Sequence, residues 1–318
     1  MHYSVAIRTL GTAGEKYERL IHSIEAQTIP ADKIVVYIAD GYPLPKQVGR
    51  ESYVRCKKGM VHQRSLPYDE IDSEYLLLCD DDICLQPDSV EKMYKSLEGD
   101  SGSVIAANVF NNHLWGLRER FLEAIFHGIY PSWTRQYAFR IRRNGCFSYC
   151  TRPQDVMESQ SFAGPCFFTK KEVLLSVSFH DERWMDQCRY ALFDDQLLAY
   201  KLFRCGYKIL VHSCCGVEHL DAGTGHVPDK NEALADAQFL HYVIWHRSIF
   251  EPDNSVEKII DSICFYGRWS FRYILALLSR ITGRNSQSSK ILLQALRNGK
   301  KFVNSEEYSL IPKWKVIR

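Results

Sequence analysis

Tyr75-Leu76-Leu77-Leu78-Cys79-Asp80-Asp81-Asp82 is an unbroken apolar run that stops on three adjacent carboxylates. A short apolar run without polar alternation is what a strand covered on both faces looks like, and such strands belong to parallel sheets. Ile34-Val35-Val36-Tyr37-Ile38-Ala39 repeats the pattern upstream and stops at Asp40-Gly41. Tyr3–Arg8 is a β-branched run, and Ser103–Ala107 is another. Helical faces lie between these runs. Tyr17, Leu20, Ile21 and Ile24 have helical spacing and end before Pro30, and Val90, Met93, Tyr94 and Leu97 follow Pro87. Strands alternating with helices predict an α/β fold, with a mostly parallel sheet flanked by helices. Ligands bind such sheets beyond the carboxyl ends of the strands, which nominates Asp40 and Asp80–Asp82.

Further along, Leu114, Leu117, Phe121, Leu122 and Ile125 predict a helix. Trp133, Tyr137 and Phe139 follow among Arg135, Arg140, Arg142 and Arg143, as in an insertion over one sheet edge. Gly164–Thr169 predicts a strand. A helix is expected from Asp194, with Leu198, Leu202 and Cys205 on one face, and then a strand over Tyr207–His212. From about Asp253 the chain reads as helical and basic.

The chain has 318 residues, 46% hydrophobic and 25% charged, which excludes disordered, collagen-like and coiled-coil classes. A net charge of +2 gives no bias toward nucleic acid. Residues 258–318, however, carry twelve Lys/Arg against three Asp/Glu, so this end is expected to meet something anionic. The eleven Cys form no CxxC pair, which suits small core thiols in a reducing compartment. Met1–Arg8 lacks the apolar stretch of a signal peptide. Trp269–Ile281, interrupted by Arg272 and Arg280, is too short and too charged to span a bilayer.

Three carboxylates in a row repel one another unless a cation compensates. Oxygen-rich clusters suit Mg²⁺ or Mn²⁺, which also bridge phosphates; the bland alternative is a solvated acidic turn. Asp194-Asp195 fits either a helix cap or a general base. His219, after Cys214–Glu218, fits a structural role, a third metal ligand or a phosphate contact. Arg64 fits either a surface charge or a pyrophosphate partner.

In order and spacing, residues 3–222 resemble the inverting nucleotide-sugar glycosyltransferases of family 2, which have the GT-A fold. The resemblance rests on Ser4–Thr9, Leu20 with Ser23–Thr28, Ile34–Gly41, His62–Ser65, Tyr75–Asp82 with Pro87-Asp88, Phe162–Cys166, Phe179–Trp184, Phe193–Leu197, Gly206–Ile209 and Val217–His219. Tyr75–Asp82 looks like that family's metal-binding Asp-x-Asp strand, Phe162–Cys166 like its acceptor loop, and Asp194-Asp195 like its Glu-Asp pair. Ala39 stands where the family has the first Asp of a pair, and there is no Gln-x-x-Arg-Trp motif of a processive synthase.

The resemblance implies a GT-A catalytic domain over 1–225: a donor half to about 110, an insertion over 111–160 and an acceptor half over 161–225. A basic helical region over 226–318 would follow. It implies transfer of one sugar from a nucleotide-diphosphate donor to an acceptor hydroxyl, with inversion. Asp195 would be the base. Ala6, Arg8, Asp40, Arg64, Asp80, Asp81 and Asp82 would hold the donor, and Mn²⁺ or Mg²⁺ would sit on Asp80, Asp82 and His219. Gly164, Pro165, Asp194, Arg140 and Arg142 would face the acceptor, a lipid-linked or surface glycan. The basic, apolar-rich end would hold the protein on an anionic membrane at its cytoplasmic face. The alternatives are a sugar-nucleotidyltransferase, for which Leu10–Gly14 is a poor phosphate loop, and a non-catalytic nucleotide-sugar or membrane-binding module.

Overall fold

A computed structural model describes residues 1–100, 102–109, 137–150, 154–220, 229–283 and 286–316. The first half contains β1 (Tyr3–Thr9), α1 (Glu15–Glu25), β2 (Ile34–Ala39), β3 (Ser52–Cys56), α2 (Met60–Arg64), β4 (Tyr75–Asp80), β5 (Ile83–Leu85), α3 (Ser89–Gly99) and β6 (Val104–Ala107). Then come a hairpin of β7 (Phe139–Ile141) and β8 (Phe147–Tyr149), β9 (Val156–Ser159), β10 (Cys166–Lys170), α4 (Lys171–Leu175), a 3-10 stretch over Phe179–Gln187 and α5 (Asp194–Arg204). The chain continues through β11 (Ile209–His212), β12 (Val217–His219), α6 (Lys230–His246), α7 (Ser255–Ile281), α8 (Ser286–Val303) and α9 (Glu306–Leu310). The helix expected over Leu114–Ile125, and Trp133 and Arg135, lie outside the described residues.

Eight strands form one sheet in the order β3-β2-β1-β4-β10-β6-β11-β9. The first four are parallel to one another, β10 runs antiparallel between β4 and β6, and β9 runs antiparallel along β11. Successive residues of the central strands enter opposite layers. Ala6, Leu76, Leu78 and Phe167 pack into one core, while Val5, Ile7, Leu77, Cys79 and Phe168 pack into the other. Side-chain alternation along a strand requires this split, and it explains why the strands read as continuously apolar. β3, at the edge, carries half-exposed polar residues and gave no such signal.

The C-terminal helices are not a loose appendage. Leu240, Val243 and Ile244 of α6 and Phe302 of α8 lie in the same core as Phe167 and Leu197. Glu182 ties them down. This fully buried carboxylate accepts from Lys201 Nζ at 3.1 Å, from Arg247 at 3.0 and 3.1 Å, and from Trp184 Nε1 at 2.7 Å. Arg247 also donates to the carbonyl of Pro312 at 2.8 Å. Burial opposes the charge on Glu182, but Lys201 and Arg247 outweigh it and hold the carboxyl below its ordinary range. Lys201 is pushed below the ordinary lysine value, first by burial and also by Arg247, because two cations share one anion.

Candidate active site

Parallel register sets Arg8 of β1 opposite Asp80 of β4, and the two side chains are ion-paired. Thr9 donates through Oγ1 to Asp81 Oδ2, and the Gly11 amide donates back to Thr9 Oγ1 at 2.7 Å. Burial, with Asp80 and Asp82 adding to it, pushes the Asp81 carboxyl up to about 6. Asp82 faces elsewhere. β5 turns the chain into a short antiparallel ribbon with β12, in which His219 is register partner to Ile83. His219 Nε2 thereby reaches Asp82 Oδ2 at 3.0 Å. Asp82 Oδ1 is buried with no hydrogen-bond partner.

The loop entering β10 carries the opposite wall. The Asp80 amide donates to the carbonyl of Pro165 at 2.8 Å, locking that loop onto the carboxylate cluster. The Gly164 amide donates to Asp195 Oδ2, and the Gln196 amide to Asp195 Oδ1, both at 2.7 Å. A Cβ on residue 164 would collide with Arg64 Nη1 and Asp195 Cβ, so this close approach requires glycine. Burial, then the charge of Asp194, raises the Asp195 carboxyl to about 6, despite Arg64 and the two amides. That is where a general base for neutral pH is useful.

Asp194 does not cap α5. Phe193 is the N-cap residue and no side chain caps that end. Asp194 instead takes Arg64 Nε at 2.8 Å, with Arg8 Nη1 at 4.0 Å. Arg64 also donates to the Gly164 carbonyl at 3.2 Å. Burial opposes its charge, but Asp194, Asp80 and Asp195 outweigh that and keep the guanidinium firmly protonated. Arg64, expected on a diphosphate, is 3% exposed and braces the Gly164–Pro165 loop against α5.

Ala6, expected among the residues that hold the donor, is fully buried in the core, because β1 runs on to Thr9 before its end is reached. Asp40 is exposed at the end of β2, on the same sheet edge as Arg8 and Thr9. Arg140 and Arg142 stand on the β7–β8 hairpin. Arg140 lies 5.9 Å over the Tyr137 ring, and Arg142 Nε donates to Ser148 at 3.0 Å. The hairpin presents Phe139, Phe147 and Tyr149 to a neighbouring cavity instead of these arginines.

Sequence reasoning missed Thr9, Gln63 and Asp186. Gln63 donates to the carbonyls of Thr9 and Tyr37, joining two strand ends. Asp186 accepts from the amides of Val61 and His62 at 2.9 and 2.8 Å, fixing the turn that carries Arg64. Thr9 was legible, since it ends the first strand; Asp186, 125 residues from Val61, was not.

No family model and no curated protein matches this sequence. Among solved structures the chain is similar to S. aureus TarS 1-349 in complex with UDP-GlcNAc. The TM-score is 0.53 at 12% identity, covering 98% of this chain and 84% of that one. It is also similar to GalNAc-T7 with UDP, GalNAc and Mn²⁺, at a TM-score of 0.49 and 13% identity, covering 81% of this chain and 53% of that one. The chain thus spans about half the length of the GalNAc-T7 structure. The mixed sheet with its flanking helices, together with the TarS likeness, identifies the GT-A fold.

Proposed function

We propose that this protein is an inverting glycosyltransferase of the family 2 type, moving one sugar from a nucleotide-diphosphate donor to an acceptor hydroxyl. The observation that carries the reading is Asp195. Its carboxylate is raised toward neutrality and held by two backbone amides, on a wall that the Pro165 carbonyl joins to the Asp80–Asp82 cluster. TarS, of the same fold, is crystallised with UDP-GlcNAc, which supports a nucleotide-sugar donor.

Asp195 takes the acceptor proton as the acceptor oxygen bonds to the anomeric carbon. The bond from that carbon to the diphosphate oxygen breaks, and the diphosphate leaves with the electron pair. Asp40 and Thr9 lie on the edge where the nucleoside would rest. The donor set fits a divalent ion through Asp82, whose Oδ1 is buried and unpartnered, and through His219. Asp80 is already paired with Arg8, and no three His, Cys, Asp or Glu side chains group as a metal site among the described residues. Two protein ligands suffice where phosphates complete the shell, as is usual for Mg²⁺. Such an ion supplies charge neutralisation of the leaving diphosphate.

Hydrolysis of UDP-sugars by purified protein with Mn²⁺, and no acceptor, tests the reading. Asp195→Asn is expected to depress turnover by a factor of about 10²–10⁴ with donor affinity little changed. Equal rates for wild type and variant would refute Asp195 as base.

A further inference from the structure

A half-open cavity of about 330 Å³ is lined by the β7–β8 hairpin, the start of α5, α6 and α7. That is the lower end of the range for small-ligand sites, about 300–1,000 Å³. Its aromatic wall contains Phe147, Tyr149 and Phe193. Phe147 and Phe193 stack at 5.4 Å between ring centroids. Phe193 adopts φ 79°, a left-handed conformation that a bulky residue takes only under constraint, and such residues cluster at functional sites. Phe193 and Gln196 both line the cavity, and between them in the chain stands Asp195.

The polar lining is incomplete as it stands. Gln196 Oε1 and Arg268 Nε are each buried without a hydrogen-bond partner. One is an acceptor and the other a charged donor. His241 Nε2 lies 3.0 Å from the carbonyl of Asn144, so that nitrogen carries the proton and Nδ1 is left to accept from Arg268 at 3.4 Å. Buried polar atoms left unpaired are costly and rare, and both of these belong to side chains that line the cavity.

The charge is unbalanced as well. Arg272, one turn beyond Arg268, donates to Gln238, a neutral partner. Both guanidiniums lie against the Trp269 ring, and neither has a carboxylate within ion-pair reach among the described residues. Burial, then the charge of Arg268, lowers Arg272 to about 10. Asp261, on the same helix, is held by Arg143 at 2.7 Å.

We infer that this cavity is an acceptor subsite for an acidic sugar unit, one bearing a carboxylate or a phosphate. The carbon–hydrogen face of the ring would lie on Phe147 and Phe193, one hydroxyl would donate to Gln196, and the anionic group would take Arg268. Aromatic faces suit the apolar side of a sugar ring, and a guanidinium suits carboxylate or phosphate. The inference rests on the transferase reading for the word acceptor, but the cavity and its unpaired groups do not depend on it.

Calorimetric titration of the full chain with methyl β-glucuronide, glucose 6-phosphate and methyl β-glucoside, each with and without UDP, tests this. At least one acidic sugar should bind, and more tightly than the neutral glucoside; which one binds distinguishes carboxylate from phosphate. Arg268→Gln should weaken acidic-sugar binding at least tenfold and leave UDP binding unchanged. Gln196→Leu should weaken all sugar binding, and it serves if Arg268→Gln melts early. Equal affinity for the neutral glucoside, no binding of any sugar, or indifference of folded Arg268→Gln would overturn the subsite. Acidic sugars bound by a chain that binds no UDP would overturn the transferase reading and leave the subsite standing.

Discussion

At the scale of single residues the site depends on two neighbouring aspartates with different partners. Asp194 is ion-paired with Arg64, whereas Asp195 is held by two amides, feels the repulsion of Asp194 and is only partly relieved by Arg64. A base must be ionised, so donor hydrolysis is expected to fall as pH drops through about 6, where Asp195 takes up its proton. Asp194→Asn removes the like charge and frees Arg64 to favour the Asp195 anion. Both effects lower the Asp195 pKa, so the acid limb should shift to lower pH, read from a pH–rate profile of variant against wild type. An unmoved limb would mean that another group sets it. Asp82 supports a second prediction. Asp82→Asn and His219→Ala should each weaken UDP binding in Mn²⁺ while leaving the affinity measured in EDTA little changed. Calorimetry in the two buffers checks it, and equal losses in both would remove the metal role from this pair.

At the scale of elements, legibility in the sequence followed burial. Strands covered on both faces, β2 and β4, announced themselves as apolar runs, and α1 did so by its spaced Leu20, Ile21 and Ile24. β5, β9 and β12 did not. Each is three or four residues long, and β9 and β12 are only partly buried, so neither length nor period marks them. Yet the β5–β12 ribbon is what delivers His219 to Asp82. The loop entering β10 was legible from its small residues, but the reason for Gly164 was not, since Arg64 and Asp195 approach it from distant parts of the chain. The same limit hid the role of Glu182, whose partners Lys201 and Arg247 are 19 and 65 residues away. Removing one member of a buried ion network leaves the others uncompensated, at about 3–5 kcal/mol. Glu182→Gln should therefore lower stability by about that much, read from the urea midpoint, and should loosen the segment around Pro312 held by Arg247. A loss below about 1 kcal/mol would show that the network contributes specificity instead.

At the scale of the whole molecule, α7 leaves an apolar surface in the open. Twelve of the seventeen exposed large hydrophobic side chains among the described residues lie on this one helix, including Val256, Ile259, Ile263, Ile274 and Ile281. Arg268 and Arg272, two of the twelve basic residues of this end, turn inward onto Trp269, His241 and Gln238. The open face is therefore more apolar than expected, with Lys258 and Arg280 exposed on the helix and Lys290, Arg297 and Lys300 exposed on α8. No described helix is long and apolar enough to cross a membrane. A helix with one apolar face and basic flanks suits the bilayer interface, where apolar burial does most of the holding and each nearby cation adds about 1 kcal/mol. We therefore propose that α7 rests on an anionic membrane, which brings the site to lipid-carried acceptors. Removing the chain beyond Asp253 is a poor test, because Phe302, Tyr308 and Trp314 pack on the main core and would be lost with it. Ile259→Glu with Ile263→Glu alters only exposed positions and should leave the melting temperature within a few degrees of wild type. Wild type should float with vesicles containing phosphatidylserine, and added salt should weaken that binding in part while the apolar contribution persists. The double variant should stay in the soluble fraction. If wild type ignores the vesicles and instead sediments as a dimer that the double variant abolishes, the apolar face belongs to a second copy of the chain.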